Sequence, residues 1–508
     1  MDSLRIKNLR SLADTKTIKF KRINVFVGQN SSGKSSFIRT FPLLKQSAQV
    51  KTVSDILWYG PFVDFGSFEE ALNRDADQNK IEFTFSMKAR PRRLRYRFKT
   101  GTRVGNQSLP VTLKLSIRPD KSSTRGALIT EYAILVHEKK IKLALNEKLE
   151  IVEFVCGEID FSEQARKAFF FFRTFGLIPV AGEFSNLSDE HEWFDDQIAK
   201  LLERHVHGNK STETLRNMVS DLVFGSAENI LSQLRSFNLG TYWSNNLDTW
   251  TEDDEFFEEI TSHIYARDFQ YIFEAIGDHV TDVSNAIQYV TPLRATAERY
   301  YRIQGLSVSE IDPQGTNLAM FLKNLSEEQA NSFAEWTANS MGFEVRAETL
   351  QGHVSIVISD AGSSKRMNLA DTGFGYSQVL PVLAQLWRLS IKRTPPHIPK
   401  FFAIEQPELH LHPRMQARLA ELFADLVSIS KKKPRASQFK LLIETHSEII
   451  INQLGKAIEA GDLSPEDVGI YIFEKKGLDG QTVVRESKFD ADGYLIDWPY
   501  GFFDSARP

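Results

Sequence analysis

One stretch near the start of the chain constrains it most. Gly28-Gln29-Asn30-Ser31-Ser32-Gly33-Lys34-Ser35 is a full match to GxxxxGK[ST]. The apolar run Ile23–Val27 before it predicts a buried strand, preceded by a short strand from Ile18 and a basic turn. Phe37, Ile38, Phe41 and Leu44 after it recur at helical spacing and predict a helix from Ser36 to about Gln46. Strand, glycine loop and helix are the context in which this motif binds phosphate. Gly28 and Gly33 let the backbone curl, so that successive N–H groups from Asn30, Ser31 and Ser32 to Ser36 point inward at phosphate oxygens. The start of the helix adds partial positive charge, Lys34 suits the β- and γ-phosphates, and the Ser35 hydroxyl suits Mg²⁺. The competing reading, a glycine-rich turn that binds nothing, does not account for the flanking strand and helix.

Bulk properties narrow the class. At 508 residues the chain has room for roughly two or three domains with substantial cores. A net charge of -4 gives no global basic field, so any contact with nucleic acid must come from a local patch. The single cysteine, Cys156, excludes an intramolecular disulfide and points to a reducing compartment. The N-terminus opens into a strand pattern rather than a signal peptide, and no apolar run approaches the roughly 20 residues a spanning helix needs. The expectation is a cytoplasmic protein without a membrane segment.

The far end of the chain adds carboxylates at strand ends. Phe401–Ile404 reads as a buried strand ending in Glu405-Gln406-Pro407-Glu408, followed by Leu409-His410-Leu411-His412-Pro413. A carboxylate at the C-terminal end of such a strand is where a P-loop fold holds its magnesium water, which makes Glu405 the expected metal residue. A second apolar strand, Lys440–Ile443, ends in Glu444-Thr445-His446-Ser447, where His446 can reach a γ-phosphate. Taken singly, these read as a strand end with a solvated carboxylate and a strand end with an N-cap. Earlier in the chain, Leu369-Ala370-Asp371-Thr372-Gly373-Phe374-Gly375-Tyr376-Ser377-Gln378 leads into an apolar helix from Val379 and describes a further anion cradle.

Together these pieces resemble the ABC-type ATPases, in the branch shared with SMC-like repair ATPases and the overcoming-lysogenisation-defect proteins. The resemblance implies an α/β fold, an ATPase head assembled from the N- and C-terminal parts of the chain, ATP and Mg²⁺ as ligands, and pairing of heads as a homodimer or higher oligomer. Gly28–Ser35 is then the Walker A loop, Phe401–Glu405 the Walker B strand, His410–Pro413 the D-loop and His446 the switch histidine. Gly373–Gln378 is the signature loop, which caps the γ-phosphate of a partner's nucleotide. It departs from Leu-Ser-Gly-Gly-Gln, so the contacting residue stays open among Gly375, Tyr376 and Ser377. The residue after the Walker B carboxylate is usually a glutamate that acts as general base. Here it is Gln406, an amide that can orient water but cannot take its proton, so slow hydrolysis is expected unless Glu408 supplies the carboxylate.

A narrower resemblance lies in Tyr289-Val290-Thr291-Pro292-Leu293-Arg294, with Glu298-Arg299-Tyr300, and in the tail Asp497-Trp498-Pro499-Tyr500-Gly501-Phe502-Phe503-Asp504. Both are similar to motifs of one bacterial subfamily, many of whose members sit in antiphage systems beside a separate nuclease or toxin. The implied role is an ATP-dependent sensor or scaffold controlling such an effector. The alternative is a repair ATPase or nuclease acting directly on DNA.

The middle of the chain reads as an insert. Residues 1–80 and 289–508 form the two expected ATPase halves, 81–158 an antiparallel β flap, and 159–288 a helical lobe. Strands are expected at Ile81–Phe85, Leu94–Phe98, Val111–Ile117, Ala133–Val136 and Ile141–Leu145, and amphipathic helices afterwards, with Phe169–Phe172 on one of them. The lobe lacks coiled-coil heptads, and its expected task is dimer or partner contact. Arg93, Arg95, Arg97 and Lys99 alternate with Leu94, Tyr96 and Phe98, giving one basic strand face. That face reads as an aggregation-guarding edge, a nucleic-acid backbone site, or a dock for an acidic protein. Asp490-Ala491-Asp492-Gly493 superficially matches a nuclease DxD, but a turn after a strand uses the same residues. The 62 residues after His446 are expected to be taken up by the last strands, Gly469–Glu474 and Gln481–Glu486.

Overall fold

The computed structural model describes residues 1–50, 54–91, 108–120, 126–183, 187–206, 211–247, 250–251, 254–305, 307–308, 310–391, 398–432, 439–475 and 480–499. Two compact units emerge: Met1–Leu9 with Ser47–Trp58 and Gly66–Asp282, and Arg10–Gln46 with Tyr59–Phe65 and Val283–Pro508. The fold is α/β.

The second unit is built on a mainly parallel sheet. Its strands lie in the order Gln288–Val290, Lys400–Glu405, Phe439–Glu444, Ile23–Gly28, Val468–Lys475, Thr482–Phe489, Leu495–Ile496. Neighbours run parallel as far as Val468–Lys475, and the last two strands turn antiparallel. Every residue of Ile23–Gly28 and of Lys400–Glu405 is buried, which is why both read as near-continuous apolar stretches rather than alternating ones. A strand from the start of the chain therefore sits between strands from its far end.

The helix Lys34–Gln49 follows the first of these strands. It is anchored by aromatic contacts: Phe41 meets Phe20 at 5.5 Å and Phe401 at 5.1 Å, and Phe37 meets Phe26 at 5.2 Å and Phe473 at 5.9 Å between ring centroids. Such pairs each add about 0.5–1.5 kcal/mol beyond area burial and hold the helix start in one place over the strand ends. A small antiparallel sheet, with Phe343–Leu350 and His353–Asp360 at its centre, and the helix Phe374–Ile391 share the same core. That helix begins inside the predicted glycine turn, so Gly375–Gln378 are already helical.

The first unit carries an antiparallel meander. Ser3–Leu9 pairs with Ile81–Ala89, which continues through Leu109–Pro119, Ala127–Val136, Lys139–Leu145 and Ile151–Cys156. Residues 92–107 lie outside the described residues, and with them the predicted strand Leu94–Phe98 and its basic face Arg93, Arg95, Arg97 and Lys99. Helices pack on the meander through Phe154 against Phe269 at 4.7 Å and Tyr132 against Phe273 at 5.4 Å. Arg267 is wholly buried and held by Asp195 and Asp268. Cys156 is buried too, and burial pushes its thiol up to about 12, which keeps it unreactive.

One expectation fails here. Phe169–Phe172 is not helical; it is a strand paired antiparallel with Val180–Glu183. Its side chains alternate buried and exposed, a period of two that four identical residues conceal in the sequence. Among the described residues, no helix is long and apolar enough to cross a membrane.

Candidate functional site

The predicted phosphate loop closes tightly on itself. Gly28 has φ +146°, and a Cβ there would lie 2.1 Å from the carbonyl oxygen of Phe473. Gly33 has φ +93°, and its Cβ would meet Leu12 Cδ2 at 2.6 Å. Both positions disfavour a side chain by conformation, and at Gly28 the main-chain oxygen of Phe473 excludes one by space as well. Ser31 adopts φ +61°, and Gln29, Asn30 and Ser31 are exposed at the rim. Ser32 is buried, its carbonyl accepts from Thr482 Oγ1 at 2.9 Å, and its own hydroxyl has no partner. Ser36, half-buried at the helix start, accepts from Thr40 through its carbonyl. Lys34 is 3% exposed, and its ammonium donates back to the carbonyls of Gly28 at 3.0 Å and Gln29 at 2.8 Å. Burial lowers its pKa, and the nearby Glu444 opposes that shift.

Two carboxylates stand side by side opposite the loop. In the parallel pairing, Glu405 is the register partner of Glu444, and Glu444 is in turn the partner of Phe26 on the phosphate-loop strand. The strand Phe439–Glu444 thus separates the loop strand from the Glu405 strand. Ser35 Oγ donates to Glu444 Oε1 at 2.9 Å. Burial and the charge of Glu405 push Glu444 up to about 7, against the pull of Lys34. Its second oxygen is buried without a hydrogen-bond partner.

Glu405 is held differently. Arg39 Nε and one guanidinium NH₂ reach its two oxygens at 2.8 Å each, and the Tyr289 hydroxyl donates to Oε1 at 2.6 Å. Sequence reasoning missed Glu444, Arg39 and Tyr289 as parts of this site. Glu444 carried the same signal as Glu405, a carboxylate ending an apolar strand, but only its neighbour His446 was given a role.

The loop after Glu405 turns toward the next strand end. Gln406 adopts φ +44°, and its backbone N–H donates to the carbonyl of Glu444 at 2.8 Å. Glu408 Oε1 accepts from the backbone N–H of His446 at 2.8 Å, while its Oε2 is buried and unpartnered. Burial raises the Glu408 pKa. His446 has an exposed ring whose pKa is lowered by desolvation and by Lys34, which places the ring in the field of the same lysine. Ser447 next to it is the N-cap of helix Glu448–Glu459.

The predicted signature turn is exposed at Gly373 and Phe374 and buried at Ser377 and Gln378. Ser377 is buried and donates to the carbonyl of Phe374, and Tyr376 packs edge-on against Phe343 at 4.9 Å. Gln378 is 1% exposed; its Oε1 accepts from Arg294 N at 3.4 Å and its Nε2 donates to the Arg294 carbonyl at 3.3 Å. Arg294 also donates to the carbonyls of Gln378 at 3.2 Å and Glu405 at 2.9 Å. A Cβ on Gly375 would meet the His410 carbonyl at 2.9 Å, whereas one on Gly373 would meet nothing within 4 Å.

Elsewhere, Asp490 accepts from the N–H groups of Asp492 and Tyr494, which is turn chemistry. Among the described residues no group of three or more His, Cys, Asp or Glu could hold a metal ion.

The sheet order, the glycine-lined loop opening a helix, and the paired strand-end carboxylates define a P-loop nucleotide-binding protein. A family model described as "AAA ATPase domain" matches residues 1–451, so the chain belongs to the AAA ATPase domain family. No curated protein matches it. Among solved structures, the chain is similar to the SMC head domain from Thermotoga maritima, with 11% identity, a TM-score of 0.34, and coverage of 95% of this chain and 97% of that one.

The residues present fit a magnesium nucleotide. The buried, unpartnered second oxygen of Glu444, in the field of the Lys34 ammonium, is an orphan acceptor that a cation or its water would satisfy. The hydroxyls of Ser32 and Ser35 and the loop N–H groups suit phosphate and cation oxygen chemistry.

Proposed function

We propose that the chain is an ATP-hydrolysing head that pairs with a second copy when nucleotide binds, and that the paired state restrains or releases a separate nuclease or toxin in a bacterial antiviral defence system in the cytoplasm. The observation that carries the nucleotide part is the Ser35–Glu444 hydrogen bond of 2.9 Å next to buried Lys34. Ser35 and Glu444 are the residues that would hold Mg²⁺, with Glu405 alongside. When bound, the ion neutralises phosphate charge and polarises the water around it. Lys34 exchanges its two loop carbonyls for phosphate oxygens, and the N–H groups from Asn30 to Ser36 orient the chain of phosphates. On this reading His446 contacts the terminal phosphate, and the Gly373–Gln378 turn contacts the partner's nucleotide.

Hydrolysis is slow on this reading. Gln406 can align a water but not deprotonate it. Glu408 is the available carboxylate, and its Oε1 is occupied by the His446 N–H in this structure. Its other oxygen, Oε2, has no partner but is buried, so the carboxylate must gain access to a water before it can act as a base. A long-lived loaded state suits a protein that holds an effector in check. The effector part is supported by the resemblance of the Tyr289–Arg294 stretch to defence-associated proteins.

The decisive experiment is capture of the tagged protein from its native host, as wild type and as Lys34→Ala. A nuclease or toxin recovered with one and not the other supports the reading. Metal-dependent DNA cutting by the lone purified chain overturns it.

A further inference from the structure

Ser35 and Arg39 are four residues apart on the helix that follows the phosphate loop, so they share one face. Each takes one of two register-paired carboxylates: Ser35 takes Glu444 and Arg39 takes Glu405. The second pairing is the stronger. It is bidentate, both Arg39 contacts are 2.8 Å, and Tyr289 adds a third donor at 2.6 Å, so both oxygens of Glu405 are engaged. Glu405 is almost completely buried, and Arg39 is about one-third exposed. The ion pair therefore has solvent on the arginine side only, and the guanidinium can swing out while the carboxylate stays in place.

We propose that Arg39 is a positioning residue that serves as a built-in counter-ion, occupying the Glu405 carboxylate that a divalent cation would otherwise recruit. This rests on the reading of Ser35 and Glu444 as the cation residues. Two bare carboxylates side by side would draw a divalent ion in the absence of nucleotide. With Arg39 in place, one of the two charges is already neutralised, and the ion is taken up weakly until phosphate oxygens complete its ligand set. Tyr289 assists by fixing Oε1.

The test is Mn²⁺ binding to the nucleotide-free full chain, read by electron paramagnetic resonance, with folding followed by circular dichroism. Arg39→Gln should bind Mn²⁺ about tenfold more tightly than wild type, as expected when a charge-assisted pair no longer competes. Arg39→Lys, which keeps the charge but loses the fork, should fall between them. Tyr289→Phe leaves no charge unpaired and should shift affinity in the same direction by a smaller factor, so it carries the test even if Arg39→Gln unfolds. Unchanged or weaker Mn²⁺ binding by folded Arg39→Gln and Tyr289→Phe would overturn the proposal. Glu444→Gln separates this from the underlying reading: if it keeps wild-type Mn²⁺ affinity, the cation site itself is misplaced.

Discussion

Glu405 and Glu444 are register partners at the ends of adjacent parallel strands, yet only Glu444 is hydrogen-bonded to the phosphate-loop serine. Adjacent carboxylates cannot both remain charged cheaply in a buried site. The structure resolves the conflict by giving Glu405 an arginine and leaving Glu444 with its pKa raised to about 7.

That arrangement has a pH signature. Glu444 ionises near 4.5 when unfolded and at about 7 when folded. Its contribution to stability is complete below the lower value and is lost as pH rises through about 7. In EDTA, Glu444→Gln should match wild type near pH 4 and exceed it above pH 7.5, by on the order of 3 kcal/mol at most. Urea unfolding at both pH values checks this; a difference independent of pH refutes it.

Steady-state ATPase assays address the Gln406 loop. Wild-type turnover should be slow, Gln406→Glu should raise it by roughly tenfold or more, and Glu408→Gln should lower it. Brisk wild-type hydrolysis that ignores Glu408→Gln would contradict both roles.

Lys34→Ala should cost most nucleotide affinity without unfolding the chain. Gly373→Gln should leave ATP binding by the single chain intact and reduce ATP-dependent pairing in analytical ultracentrifugation, because a Cβ there meets no atom of its own chain within 4 Å and the position is exposed. Tyr376 is a poorer probe, since changing it also removes its contact with Phe343. Equal loss of ATP binding in both variants would rule out a shared site.

If the Arg93/Arg95/Arg97/Lys99 segment binds nucleic-acid backbone, affinity should fall steeply with salt, and each Arg→Ala should lower the log–log slope by about one. Salt-insensitive binding, or binding that survives replacement of all four, would return the segment to an edge guard.

Much of the site was legible because its signals are local. Gly28 to Ser35 declare a loop by spacing alone, and Glu405 and His446 declare strand ends by an apolar run stopping at a polar residue. What escaped depends on register. Nothing in the sequence says that Glu444 lies between Glu405 and the loop, because that follows from the order in which parallel strands assemble. Arg39 and Tyr289 were invisible for the same reason, being distant in sequence from the carboxylate they hold. Phe169–Phe172 was misread because a homopolymeric run has no period, and only its partner Val180–Glu183 assigns one. The turn at Gly373 was legible as a phosphate-type motif, but not that its helix starts at Phe374 and faces Ser377 and Gln378 inward.

Arg294 has a buried guanidinium that grips main-chain carbonyls on two segments, Gln378 at one end and Glu405 at the other, with Gln406 within 3.4 Å. These bonds tie the main chain at the end of the Glu405 strand to the first turn of helix Phe374–Ile391, so moving either segment alone costs hydrogen bonds of a buried guanidinium. Arg294 is in effect a tie-rod: if heads pair as proposed, a rearrangement of the Gln406 loop has a direct mechanical route, through one side chain, to the turn that opens helix Phe374–Ile391.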